Sequence, residues 1–223
     1  MLPVSFRTII IFFAIIILGI LSGFFIGCRP AERTHFDVET WQGEVLQSGE
    51  KVQFSRLSAP GVILNVYSPT CVPCIDELPA LNHLHSIARD ENIAMFVVAD
   101  GRPETHGLEV EDDASAEEAR AALRARLSAD VAKFDIKIPL VVMDSSFRVE
   151  PRGGLVSGTP ETMLFRTFPF VLDYNFVGPV AATNDLNELA EDSRFQFVVK
   201  KVLALAEAGQ SAAVSNNGNY NER

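Results

Sequence analysis

Cysteine is scarce in this chain: three residues in 223, at positions 28, 71 and 74. So few thiols exclude a disulfide-stapled scaffold, and a chain of this length does not need one. Basic charge is also short. Nineteen Lys and Arg stand against 29 Asp and Glu, a formal net charge of -10, which argues against nucleic acid as a partner, since phosphate binding needs a basic face. No internal repeat occurs. Hydrophobic residues make up 48% of the chain, enough for one sizeable core, and one globular domain is expected.

A different absence marks the start of the chain. Thr8 to Gly27, TIIIFFAIIILGILSGFFIG, holds twenty residues without a charge. About 20 apolar residues span a bilayer as a helix, whereas a cleavable signal core is about 7–15. A retained signal-anchor over residues 1–28 is therefore expected, with membrane contact through residues 8–27. Arg7 on one side faces Arg29 and Arg33 on the other, so the charge rule alone does not orient it; the short leading tail suits an anchor whose C-terminal part lies outside. Phe25-Ile26-Gly27-Cys28 resembles a bacterial lipobox, with Gly27 fitting and Phe25 departing from the usual leucine. Cys28 is thus an alternative lipidation site. Either anchor leaves the rest of the protein extracytoplasmic.

Residues 29–36 read as a linker, 37–208 as the domain and 209–223 as a disordered tail. Within the domain, Gly43 and Ser48-Gly49 mark turns of an N-terminal β-hairpin. GVILNVY (61–67), IAMFVVAD (93–100) and IPLVVMD (138–144) are short continuous apolar runs, as in strands buried on both faces. ETMLF and FVLDYNFV continue as strands joined through a tight turn at RTFP. Helical spacing puts Ile75, Leu78, Leu81 and His85 on one face after the first buried strand, with Pro79 as an internal kink. An acidic stretch predicts a surface helix with Ser115 and Glu118 as its capping box. A last helix closes the domain. The order, hairpin, βαβαβ, hairpin and α, predicts an α/β fold: a central mixed sheet flanked by helices.

The chemistry concentrates in YSPTCVPC (67–74), which delivers two thiols from a strand into the first turn of a helix. Three uses compete. A zinc clip needs about two further ligands. His83 and His85 point about 200° apart on a helix, and His35 and His106 have no spacing partner, so each reads as a packed or surface histidine and no metal is expected. A structural bridge of this span closes a tiny loop and stabilises little. A reversible redox couple fits best, because a helix N-terminus stabilises a thiolate. Cys71 is then expected to be exposed and to attack, and Cys74, beneath it, to resolve the mixed disulfide. No cofactor is implied.

LNVYSPTCVPCIDELPAL, the kink residue Pro79 and SGTPETMLF resemble the thioredoxin-like superfamily over about residues 36–208. Within it, the chain resembles the TlpA/ResA/CcmG-like membrane-anchored thiol-disulfide oxidoreductases. The resemblance implies a thioredoxin-like fold, with Cys71 and Cys74 as the redox-active disulfide. It also implies a cis peptide at Thr159-Pro160, facing the cysteines and pairing its backbone with substrate; Phe168-Pro169 is the competing candidate. Its partners would be cysteine-containing client proteins and an upstream thiol reductant. In that family the clients are apocytochrome c haem-attachment cysteines or copper-site cysteines.

Departures from the family are specific. Thr70 stands where a tryptophan usually precedes the first cysteine. Asn65 stands six residues before Cys71, where thioredoxins carry a buried acid, so the proton acceptor for Cys74 must be water or another group; Glu161 is a weak candidate, more readily a salt-bridged or solvated glutamate. The loop after FVVAD, around residues 101–115, is longer than usual and carries no assigned role. Among other functions, a Cu(I) metallochaperone using the same thiols is the alternative, although copper-carrying relatives resemble CxxxC with a downstream histidine. A peroxiredoxin pattern fails at Pro73, and a non-catalytic binding module leaves the intact cysteine pair unexplained.

Overall fold

The computed structural model describes residues 37–218. The expected membrane segment, Cys28, His35 and the linker lie outside the described residues, as do residues 219–223. Among the described residues no helix is long and apolar enough to cross a membrane.

Seven strands form one sheet: β1 (Gln42–Val45), β2 (Lys51–Gln53), β3 (Gly61–Val66), β4 (Ala94–Ala99), β5 (Leu140–Met143), β6 (Glu161–Thr167) and β7 (Phe170–Val177). Their order in space is β2-β1-β5-β4-β3-β6-β7. Neighbours β3, β4 and β5 run parallel, which requires long crossovers. Helices α1 (Val72–Asp76) and α2 (Leu78–Asp90) supply the first, and α3 (Asp113–Lys133) the second. The two edges are antiparallel: β1 pairs with β2 and β5, and β6 pairs with β3 and β7.

The apolar runs become strands because both faces of the sheet are covered. All six residues of β3 are buried, and their side chains alternate between two cores. Val62, Leu64 and Val66 pack with Trp41, Phe54, Phe147 and Phe165. Ile63 and Tyr67 pack against the helices, with Leu81 and Leu84 of α2 and Leu123 and Leu127 of α3. Each such side chain contributes about 1.5–3 kcal/mol of burial. The closing helix α4 (Ser193–Gly218) adds Phe195, Val198 and Val202 to that core. It extends to Gly218, so residues 209–218, expected as tail, continue the helix.

Pro79 lies in the first turn of α2, and the helical stretch after the cysteines divides at Glu77, which joins α1 to α2. The cap of α3 differs from expectation. Asp112, not Ser115, is the N-cap: its carboxylate accepts from the Ser115 N–H (2.8 Å), and the Ser115 hydroxyl accepts from the Asp112 N–H (2.9 Å). The helix therefore begins a turn earlier, with Ser115 in the place expected of Glu118. Gly101, two residues beyond β4, has no room for a side chain, since a Cβ there would overlap the Met143 carbonyl of β5.

Candidate active site

The antiparallel pairing of β3 with β6 sets the site's frame. Val66, at the end of β3, lies opposite Glu161, at the start of β6. The segments beyond these two ends, 67–71 and 157–160, therefore meet at the same end of two adjacent interior strands. One carries the cysteines and the other carries Thr159-Pro160.

Beyond β3 the chain stays tied to the sheet, with the Tyr67 N–H donating to the Val98 carbonyl at 2.9 Å. A turn follows, in which the Cys71 N–H donates to the Ser68 carbonyl at 3.0 Å. Cys71 is the N-cap of α1, its Sγ accepting from the Cys74 N–H at 3.2 Å. The two cysteines form a disulfide (S–S 2.08 Å). Cys71, expected to be exposed, keeps only 9% of its surface, because the turn and its own helix cover it; Cys74 keeps none. Cys71 is the more accessible of the two, but by far less than expected. Between them Val72 is 64% exposed and apolar, a contact surface facing solvent.

Both candidate proline bonds, Thr159-Pro160 and Phe168-Pro169, are cis. Only Thr159-Pro160 adjoins the cysteine segment; Phe168-Pro169 turns β6 into β7. Within the described residues no backbone hydrogen bond uses Thr159. Glu161 is neither solvated nor in an ion pair. It is buried and accepts from the Ser157 N–H (2.8 Å), the Ser157 hydroxyl and the Asn175 amide (3.0 Å). Its carboxylate fastens the loop before Pro160 rather than serving Cys74.

The buried acid of the site is Glu77, unnoticed in the sequence. It sits between α1 and α2, three residues after Cys74, with 3% exposure. Burial pushes its carboxyl up to about 7, opposed by hydrogen bonds from the Val180 N–H (2.9 Å) and the Asn65 amide (3.0 Å). Asn65 also donates to Thr162 Oγ1 at 3.0 Å. Thus the residue replacing the usual acid of thioredoxins holds an acid supplied from the helix junction. Glu77 reaches solvent through a depression it lines with Pro73, Asp76 and Pro179.

His106, expected as a packed or surface histidine, is packed, and against the site. It lies at the end of a short 3-10 turn, Pro103–His106, in the long loop after β4, with 3% exposure. Its Nε2 is 2.7 Å from the Asp100 carbonyl and its Nδ1 3.0 Å from Ser68 Oγ. A carbonyl only accepts, so Nε2 carries the hydrogen. Burial lowers the ring's basicity, so Nδ1 accepts from Ser68. The Ser68 oxygen then takes the Thr70 hydroxyl (2.9 Å). A chain of hydrogen bonds runs from the end of β4 to the residue before Cys71. Arg126 of α3 adds another tie, donating to the Pro69 carbonyl at 3.2 Å. No spacing in the sequence joins positions 68 and 106; β3 and β4 being adjacent does so. His83 instead stacks on Phe195, and His85 is half-buried on α2. Among the described residues no three His, Cys, Asp or Glu gather as a metal site.

No family model matches the chain, and no curated protein does. Solved structures do. A secreted Mycobacterium tuberculosis disulfide oxidoreductase, described as homologous to E. coli DsbE, is 13% identical, with TM-score 0.45 over 75% of this chain and 97% of that one. A thioredoxin-family thiol:disulfide interchange protein of Chlorobium tepidum is 16% identical (TM-score 0.48; 73% and 92%). StoA of Bacillus subtilis is 15% identical (TM-score 0.46; 69% and 96%). These likenesses are of fold. In the chain itself, the parallel β3–β4 pair flanked by the antiparallel β6–β7 pair, the CxxC at the start of α1 and the cis-proline loop beside it are the features of a thioredoxin-like fold.

Proposed function

We propose that the protein is an extracytoplasmic, membrane-tethered thiol-disulfide oxidoreductase that reduces cysteine pairs of client proteins. The observation that carries this reading is the Cys71–Cys74 disulfide at the start of α1, with the Cys74 N–H on Cys71 Sγ. The tether rests on the uncharged run of residues 8–27.

In the reduced protein the Cys71 thiolate attacks one sulfur of a client disulfide. The client S–S bond breaks, an enzyme–client S–S bond forms, and the first client sulfur leaves as thiolate. Cys74 then loses its proton and attacks Cys71 Sγ. The mixed disulfide breaks, the second client thiolate departs, and Cys71–Cys74 closes. Two electrons pass to the client, whose thiolates take up two protons. Glu77, buried one turn after Cys74 with a carboxyl titrating near neutrality, suits the role of proton acceptor. An upstream dithiol must then reduce the pair again. Thr159, before the cis Pro160, suits pairing with the client strand. The client class supported by the family resemblance is apocytochrome c or a metal-site protein awaiting its cofactor.

The test is stoichiometric. Reduced protein mixed with a disulfide-linked peptide should lose two thiols as the peptide gains two, and Cys71→Ser should do neither. Peptide that stays oxidised under conditions where the pair is reduced would sink the reading.

A further inference from the structure

We propose that His106 is a positioning residue for the exchange reaction: through Ser68 it turns the Thr70 hydroxyl hydrogen away from Cys71 and so keeps the attacking thiolate weakly stabilised. This rests on the thiol-disulfide exchange reading and deepens it.

The direction of the chain follows from counting hydrogens. The Asp100 carbonyl takes the Nε2 hydrogen of His106 at 2.7 Å, which leaves Nδ1 bare, 3.0 Å from Ser68 Oγ. Ser68 has a single hydroxyl hydrogen, and Nδ1 is the acceptor for it. With that hydrogen committed, the Ser68 oxygen accepts twice from Thr70, from its N–H at 3.4 Å and from its hydroxyl at 2.9 Å. Every hydrogen therefore points from Thr70 toward the end of β4. The oxygen end of the chain is the one joined to Cys71.

The surroundings hold the ring in that state. Ser68 and His106 are both buried, so water has little access to either. Burial foremost, with the guanidiniums of Arg126 on α3 and Arg102 on the ring's own loop, lowers the basicity of His106 against the opposing pull of Asp100. The Asp100 carboxylate is itself engaged, by Arg102 (2.6 Å at the closest) and by the Val149 N–H (3.1 Å). Thr70, by contrast, is exposed, and its hydroxyl is free to turn once Ser68 no longer accepts from it. A thiolate on the next residue is then the stronger acceptor, because a hydrogen bond to a charged group outdoes one between neutral groups.

The experiment measures the acidity of Cys71 in the reduced full chain, from its rate of alkylation by iodoacetamide against pH, with the Cys71 adduct followed by mass spectrometry. Ser68→Ala removes the acceptor of the Thr70 hydroxyl. It should lower the Cys71 pKa by about one unit, a thiolate fraction about tenfold larger at a fixed acidic pH, the effect of one hydrogen bond to a charged group. His106→Phe leaves Ser68 to give its hydrogen to Thr70 and should do the same. In a Thr70→Val background neither substitution should shift the acidity further, since no hydroxyl remains to turn; mere loosening of the turn would shift it in both backgrounds. Nitrogen NMR of the wild-type ring should show the hydrogen on Nε2 and a bare Nδ1. Hydrogen on Nδ1 overturns the proposal however the variants behave, and so does an acidity unmoved by Ser68→Ala or a shift that persists with Thr70→Val. None of these readouts needs a client, so failure to reduce hydroxyethyl disulfide would sink the exchange reading while the acidities still decide the hydrogen-bond chain.

Discussion

Glu77 carries a carboxyl group that folding has moved from about 4.5 in the free chain to about 7, through burial. Between those two values the folded protein keeps a proton that the unfolded chain has released. Stability is therefore highest below the lower value and falls as pH rises through the upper one, by on the order of 3 kcal/mol. Chemical denaturation of the oxidised protein between about pH 5 and pH 8 should show this loss, and Glu77→Gln should flatten it. An unchanged slope in the variant would assign the loss elsewhere. The cysteines make a second residue-scale prediction. Cys74→Ala keeps the attacking thiol and removes the resolving one, so it should accumulate mixed disulfides with client proteins on diagonal gels, which Cys71→Ala should not. The pair was legible from spacing alone, because CxxC after a buried strand has few other uses. Glu77 was not: a glutamate in a helical run reads as surface, and only the division of α1 from α2 turns it inward beneath Asn65 and Val180.

At the scale of elements, the strands were legible wherever both faces are buried. GVILNVY, IAMFVVAD and IPLVVMD became β3, β4 and β5 with ends moved by one or two residues, since a continuous apolar run has no alternative once helices cover one face and aromatic side chains the other. Capping was less legible. Asp112 and Ser115 are both good cap residues, and the choice fell to Asp112, whose carboxylate and whose N–H are both satisfied by Ser115. The long loop after β4 was unreadable because its partners are distant: His106 finds Ser68 at a separation of 38 residues. That loop leaves the sheet through Gly101, where an added Cβ would overlap the Met143 carbonyl. Gly101→Ala must push β4 and β5 apart, and should destabilise the fold by about 1–3 kcal/mol, the usual cost of overpacking. The shift in denaturation midpoint measures it; a change within about 0.5 kcal/mol, the usual range for an inconsequential surface site, would mean that the loop yields instead of the sheet.

For the molecule as a whole the open question is which way electrons flow, and the geometry around Cys71 favours outflow. A thiolate at a helix start is stabilised by the N–H groups of the first turn. Here the donor is the Cys74 N–H at 3.2 Å; Pro73, in the same turn, has no N–H to give. No basic residue lies between the cysteines, Arg126 is turned to the Pro69 carbonyl, and the chain carries a net charge of -10, so the surroundings add little to hold an anion. Strongly oxidising sites depress the attacking cysteine to about 3.5, against about 7 in thioredoxin, and that difference is stability of the reduced state. A thiolate with fewer donors leaves the reduced pair less stable, and a less stable reduced pair gives up its electrons more readily. Equilibration with glutathione buffers, followed by alkylation and mass measurement, reads the potential directly. It should lie well below roughly -200 mV, and Pro73→Ala, which restores an N–H in the first turn, should raise it. A wild-type value near roughly -120 mV would make the protein an oxidant of its clients and reverse the proposed direction.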